Sequence, residues 1–458
     1  MTDLIGRILH QLGQQLPSRV SRSGDDGYTA ATAIWARPVG PMPRAVVHCL
    51  NSQDVQAAIR AARDSELPLS VRGGGHDWAG RALCGGIVID LRAMNGVTVG
   101  ADRRSAQISG GARACDVLAA TDPLGLAAVT GSCGGVGMAG FTLGGGYGAL
   151  IGRCGLALDN LLSAEIVLAD GRIVTAKDDS ETELFWASRG GGGNFGVVTS
   201  MQHRVHDISS VRAGMLLFPF VEAEAVFEAC AEIAAAAPDE LTVQLGIAIG
   251  PDGHPVIMVV PTWCGLPDQG EAQVAPFFKL GTLIGGAVDA MLYGSRHNLF
   301  APFIVDGHRV VMETCWLPAL ERESIGAFTQ AMATAVSPGC AIVTHAFRGA
   351  ASRVPADATA FGLRRDHVLI EILASCPAGS NPAEQQRHRQ WAHTALQGFA
   401  AKALPGGYPN LLPGGDSRAA RSYGGNAERL IKAKRHYDPD GIFSAIPLPI
   451  MPRPMAAE

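Results

Sequence analysis

Residues 131–148 read GSCGGVGMAGFTLGGGYG, nine glycines in eighteen positions with few charges. Backbone that offers so little side chain to pack must lie against something large and flat, because glycine permits close approach of the chain. Gly135, Gly137 and Gly140 match G-x-G-x-x-G, and Asp159 follows nineteen residues after Gly140, close to where a dinucleotide-binding acidic residue belongs. That fingerprint has to follow a strand and open a helix. Here Thr130 gives only a weak strand before it, and the glycines continue through Gly144, Gly145, Gly146 and Gly148. A Rossmann reading is therefore rejected. Cys133, in the middle of the segment, reads by itself as a small buried apolar residue.

Two further glycine clusters flank this one. Residues 71–80, VRGGGHDWAG, end a strand with three glycines whose consecutive amides can form a concavity for phosphate oxygens, and His76 leaves that turn at once. By itself the segment is equally an ordinary glycine turn with a surface histidine. Residues 185–200, FWASRGGGGNFGVVTS, set four glycines between a helix and a strand. One glycine run is weak evidence; three in one region, each at a strand end, imply a single bulky object enclosed by backbone.

Outward from these clusters, residues 45–50 and 86–91 and the stretch Leu69–Arg72 read as strands, with a helix from Asn51 or Ser52 to about Glu66. Val97–Val99 and Ser105–Ser109 read as a hairpin, as do 164–169 and 172–177 around Asp170-Gly171. Residues 180–188 predict a helix and 195–205 a strand, while the glycine-rich stretch 131–155 has no clear period. The texture changes near 206–215. Beyond it, Leu241–Ile249 and Pro255–Trp263 alternate around an Asp252-Gly253 turn, and helices are expected at about 221–236, 319–335 and 382–400. Antiparallel strands with helices on one face predict an α+β second domain. Residues 403–416 are rich in proline and glycine, and the chain changes character again after them.

The 458 residues are enough for two cores. Glycine is the compositional excess at 57 residues, about 12% against an average of roughly 7%. With a net charge of −5 and scattered Lys and Arg, nothing suggests a polyanion partner, so no nucleic acid is expected. No apolar run approaches the ~20 residues of a membrane span, and no secretory signal is read at the N-terminus. The ten cysteines contain no C-x-x-C pair, which argues against a disulfide framework or a metal site and for the cytoplasm. G-x-S-x-G, the Walker loop and H-E-x-x-H are absent, and His203 and His206 do not form a metal pair.

Taken together and in this order, the three clusters resemble the FAD-binding domain of the vanillyl-alcohol oxidase (PCMH-type) superfamily, in particular its berberine-bridge-enzyme-like branch. Residues 71–80 are similar to R-x-G-G-H-x-x-x-G, and 131–148 to G-x-C-x-x-V-G-x-x-G-x-x-x-G-G-G-Y-G. GLALDN at 155–160, the 169–171 turn and SYGGNAERLIKAKRHYDPDGIF at 422–443 also match. The sequence departs from the branch at Gly134, where plant members often carry proline, at Glu313, where lysine is usual, and in the tail FSAIPLPI. The resemblance implies an α+β fold: a PCMH-type two-subdomain FAD-binding domain from residues 1–206, a substrate domain with a large antiparallel sheet from 207–414, and a C-terminal segment, 415–458, that returns to the FAD domain.

It further implies FAD attached covalently through the His76 ring, with Cys133 favouring a second, thioether bond; single attachment stays open. The cofactor-binding residues it implies are Arg72, Gly73, Gly74, Gly75, Asp77 and Gly80 from the first cluster. Gly131, Ser132, Val136, Gly137, Gly140, Gly144, Gly145, Gly146 and Tyr147 come from the second, followed by Asp159 and Asn160. Gly196, Val197 and Val198 come from the third cluster, and Asn426 from the C-terminal segment. The implied activity is removal of a hydride from a C–H next to oxygen or nitrogen of a small organic substrate (oligosaccharide, alkaloid or other secondary metabolite), with molecular oxygen reoxidising the flavin. A dehydrogenase using another acceptor and a non-catalytic flavin- or ligand-binding protein are the alternatives. Tyr423 is the first candidate for the proton acceptor, because the C-terminal ending returns beside the flavin in relatives; Glu313 and Glu371 are the others. Trp263 and Trp316 are candidate pocket walls, with core packing as the competing role. A homodimer is left open.

Overall fold

The computed structural model describes residues 2–37 and 40–449. Residues 450–458, which close the expected C-terminal segment, lie outside the described residues. Near the N-terminus a four-stranded sheet runs in the order Val20–Ser21, Ala45–His48, Ile87–Asp90 and Leu69–Arg72. Its last three strands are parallel, and the helix Ser52–Asp64 makes the crossover. Asn51 caps that helix: its side chain accepts from the Asp54 amide at 2.9 Å, while Asp54 accepts from the Leu50 amide at 2.8 Å. A five-stranded antiparallel sheet follows, with Val197–Arg204 between Ser105–Ser109 and Leu161–Val167.

The glycine-rich stretch expected to lack a period holds two helices, Met138–Gly144 and Ile151–Cys154. Glycine is a poor helix former, so propensity hides them. The helix expected over 180–188 is regular from Thr182 to Ser188, and its backbone breaks at Arg189 and Gly190.

The third sheet has seven antiparallel strands, beginning at the edge strand Gly285–Met291 and ending at Arg309–Leu317. Alternation along its strands decides what each face does. Leu245, Ile247, Ile342, Ile370 and Ile372 point into a core closed by the helices Ala223–Ala236, Arg322–Ala333 and Pro382–Phe399. Their neighbours Gln244, Val343, His345, Leu369 and Glu371 face the other way, over the glycine clusters.

The chain then returns to the first part of the fold. The helix Ala427–Tyr437 packs into the same core as Phe185, Trp186 and Phe195. Buried Lys434 donates to the carbonyls of Asn194 at 2.8 Å and Phe443 at 2.7 Å, and the Asn194 side chain accepts from the Ala445 amide at 2.8 Å. This staple lays residues 443–446 against the glycines of the third cluster.

Candidate active site

A cavity of about 460 Å³ lies between the glycine clusters and the open face of the seven-stranded sheet, within the range of small-molecule and cofactor sites. One wall is made of Gly73, Gly74, Gly75, His76, Asp77, Gly131, Ser132, Cys133, Val136, Gly137 and Gly140, with Gly196, Val197 and Val198 from the third cluster. The first two clusters touch through their missing side chains. A Cβ on Gly74 would stand 2.5 Å from the Gly137 nitrogen, and one on Gly137 would stand 2.5 Å from the Gly74 nitrogen. Loops that carry His76 and Cys133 are thereby clamped together.

His76 stacks on Trp35, with ring centroids 4.3 Å apart and planes 15° from parallel. Burial pulls its pKa down to about 4, so the ring is neutral and keeps a nitrogen lone pair at neutral pH. Trp35 is held there by its amide, which donates to the Gly75 carbonyl at 2.9 Å. Burial raises the Cys133 thiol, and hydrogen bonds from the amides of Gly135 and Val136 pull it back. Cys133 Sγ and His76 Nδ1 flank one glycine, at 3.7 and 4.0 Å from where a Gly135 Cβ would be.

These residues fit an FAD. Half of the wall residues just named are glycine, which lets backbone approach a bulky ligand closely. The buried ring nitrogens of Trp35 and Trp78, both on the cavity wall, have no partner, as buried donors have when a ligand supplies the acceptor. Among the described residues, nothing accepts from the amides of Gly74, Gly75 or His76, which leaves them available to an anion.

Several expected cofactor residues lie elsewhere. Arg72 turns away and donates from Nη1 to the Ala30 carbonyl at 2.8 Å, to that of Ala31, and from Nη2 to Ala33 at 2.7 Å. It thus caps the C-terminus of the helix Asp26–Thr32. Gly80 closes a turn with φ near +75°. Gly144 and Gly145 make room for the loop that carries Tyr408 and Asn410: a Cβ on Gly144 would stand 2.0 Å from the Asn410 side chain, and one on Gly145 2.9 Å from the Tyr408 ring, while one on Gly146 would stand 2.4 Å from the Ala157 Cβ. Asp159 is paired with Arg364, and Asn160 donates to the carbonyls of Cys154 and Leu156 at 2.9 and 2.8 Å. Asn426 ties the carbonyls of Ala356 and Thr359, at 2.7 and 3.0 Å. Asn160 and Asn426 are short polar side chains recruited by backbone carbonyls.

The candidate bases separate sharply. Tyr423 is buried in the core and donates to the Pro447 carbonyl at 2.8 Å, and burial pushes its pKa far above the usual tyrosine range. It has no access to the cavity. Glu313 accepts from Arg418 Nη2 at 3.0 Å. Its neighbour Met312 lines the cavity and pairs with Leu373, so alternation sends Glu313 to the opposite face. Glu371 alone of the three faces the cavity, and its Oε2 is 3.0 Å from His345 Nε2. Val343 lies opposite Glu371 and Leu369 opposite His345, which makes the pair diagonal neighbours on one face. Trp263 and Trp316 are core residues; their ring nitrogens donate to Leu266 O at 2.9 Å and Tyr147 Oη at 3.2 Å.

Sequence reasoning passed over His345, Gln244, Tyr408 and Asn410. The last two stand in the proline/glycine-rich stretch, where a Tyr-x-Asn among turn residues was the available signal. The Tyr408 hydroxyl accepts from the Gly146 amide at 2.9 Å and from Asn410 Nδ2 at 3.1 Å, and burial pushes its pKa up to about 12. With both lone pairs used, its proton remains to be donated. Tyr147, also on the wall, bonds His367 Nε2 at 2.7 Å.

Comparison with known proteins agrees with this geometry. The FAD binding domain family matches residues 43–177 and the "berberine and berberine like" family matches 399–446. An FAD-linked oxidoreductase of Bacillus subtilis is 31% identical over 443 residues, covering 94% of this chain and 97% of its own. The structure of 6-hydroxy-D-nicotine oxidase from Arthrobacter nicotinovorans superposes with a TM-score of 0.82 at 27% identity, over 94% of this chain and 97% of the other. A glucooligosaccharide oxidase from Acremonium strictum, described with 6-S-cysteinyl, 8α-N1-histidyl FAD, shares the fold with a TM-score of 0.83 at 23% identity, over 98% and 100% of the chains. The chain belongs to the berberine-bridge-enzyme-like branch of the PCMH-type FAD-binding superfamily and is an FAD-linked oxidoreductase. Among the described residues, no helix is long and apolar enough to cross a membrane.

Proposed function

We propose that the protein is an oxidase that removes a hydride from a C–H next to oxygen or nitrogen of a small organic substrate, with Glu371 taking the heteroatom's proton. The observation that carries this reading is the Glu371–His345 pair, 3.0 Å apart on the sheet face that looks across the cavity at the glycine wall. His345 donates from Nε2 and holds one carboxylate oxygen, which leaves the other for the substrate's O–H or N–H. Tyr408 keeps its proton and orients the substrate as a donor. FAD, when bound, would supply the two-electron chemistry: acceptance of the hydride and reoxidation by molecular oxygen to hydrogen peroxide.

His76 and Cys133 are the attachment atoms in this reading. A neutral imidazole nitrogen is available to bond carbon, and a thiol stands beside the same glycine. The doubly attached flavin of the Acremonium strictum enzyme supports the pairing.

The test is anaerobic mixing of FAD-loaded protein with a panel of alcohols and amines, followed by air. Bleaching and then peroxide are expected, and Glu371→Gln slows bleaching by about 10²–10⁴ while keeping its FAD. Unchanged bleaching would remove Glu371 from the mechanism, and bleaching without peroxide would make the protein a dehydrogenase. In acid-precipitated protein, His76→Ala with Cys133→Ala should release all yellow colour to the supernatant.

A further inference from the structure

Resting on that reading of the site, we infer that the substrate is a compact apolar ring compound with one hydrogen-bonding head group, and not an oligosaccharide. The sheet face above the glycine wall is unequal along its length. Met258, Met312, Ala341, Val343, Leu369 and Leu373 make most of it, and none of their side chains donates or accepts a strong hydrogen bond. Phe300, Phe303 and Ile304 add further apolar lining.

Polar groups gather in one corner. Gly246 pairs with Val343, and the same antiparallel register carries Gln244 to the side of His345. His345 in turn reaches Glu371. Behind Gln244 stands Arg296, a buried guanidinium whose Nε donates to Thr262 Oγ1 at 2.9 Å and whose Nη2 is 3.5 Å from Gln244 Oε1. Among the described residues Arg296 has no carboxylate partner. Its charge therefore draws the amide oxygen of Gln244 inward and leaves the amide NH₂ for the cavity.

With Tyr408, the corner offers two donors, Gln244 and Tyr408, and one acceptor, Glu371. A single hydroxyl satisfies all three, accepting from Gln244 and Tyr408 on its two lone pairs and giving its proton to Glu371; a neutral amine, with one lone pair, accepts from one donor and gives its proton to Glu371. A sugar would satisfy the corner with one hydroxyl and lay the rest against methionine, leucine and valine. Each hydroxyl stripped of water without a partner weakens binding by about tenfold, so two or three suffice to exclude a disaccharide.

FAD-loaded protein titrated with naphthalenemethanol, naphthalenemethylamine and cellobiose tests this, read by the shift of the flavin absorption for binding and by anaerobic bleaching for reaction. The naphthyl compounds should bind at concentrations roughly a hundredfold below cellobiose. Leu373→Gln and Met312→Gln, cross-strand neighbours on the apolar face, should each weaken naphthyl binding by about tenfold while retaining FAD. Cellobiose binding as tightly as the naphthyl alcohol, or no naphthyl binding at all, would overturn the inference. Binding with that preference but without bleaching would uphold the substrate class and instead remove the hydride-transfer reading.

Discussion

Asp159→Asn distinguishes what the motif implied from what the fold uses. The carboxylate accepts from Arg364 Nη1 and Nη2, each at 2.9 Å, and the two side chains are 10% and 2% exposed. Removing the charge strands a buried guanidinium, a loss of about 3–5 kcal/mol for a broken buried pair. Arg364 keeps its bonds to Phe361 O at 3.1 Å and Thr359 Oγ1 at 2.7 Å, and asparagine keeps one acceptor, so the lower end, about 3 kcal/mol, is expected. At a few degrees per kcal/mol, that lowers the melting temperature by roughly 5 °C or more. The assay pairs thermal melting of the apoprotein with FAD content per chain after reconstitution. A lower melting point at unchanged FAD stoichiometry is the expected result. FAD lost from a protein whose apo form melts normally would refute the structural role and restore Asp159 to the cofactor.

Other consequences follow from single contacts. His345→Gln should slow anaerobic bleaching by about 10- to 100-fold through loss of a hydrogen bond to a charged group, yet have little further effect in a Glu371→Gln background. His203 is fully buried and burial lowers its pKa to about 4 from 6.5. The native state therefore stays neutral where the unfolded chain takes a proton. Stability is complete above pH 6.5 and falls by about 1.4 kcal/mol per pH unit as pH drops from there toward 4. Denaturant midpoints between pH 7 and 4.5 should fall less steeply in His203→Gln, and parallel slopes would contradict this. Tyr408→Phe leaves the Gly146 amide without its partner and removes a donor from the cavity. It should lower stability by about 1–3 kcal/mol and raise KM more than it lowers kcat.

Much of the scaffold was legible because its signals are local. Leu241–Ile249 and Pro255–Trp263 alternate cleanly around an Asp-Gly turn and are found with those bounds. The helix within 131–148 was hidden by glycines, which signal close packing and equally obscure propensity. Side-chain direction was the harder quantity. The C-terminal segment does reach the cavity, but through residues 443–446, while the Tyr423 ring points into the core. Glu371 stood on a recognisable strand, but its partner His345 lies on another, and only the pairing of the two strands reveals the dyad. Arg72 matched its motif and serves the helix Asp26–Thr32 instead. A motif fixes where a residue sits in the chain and leaves open which neighbour claims its polar atoms.

The staple at Lys434 has a consequence for the order of assembly. Residues 443–446 form part of the chamber that begins at Gly73, so the chamber is open on that side until the chain has been synthesised far past the sheet and the helix Ala427–Tyr437 has docked. Domains form in the order in which they emerge, and here the earliest part waits for the latest. Prosthetic-group capture is then a step after translation, and a lesion at Lys434 should yield protein that is made in normal amounts but leaves the cell pale.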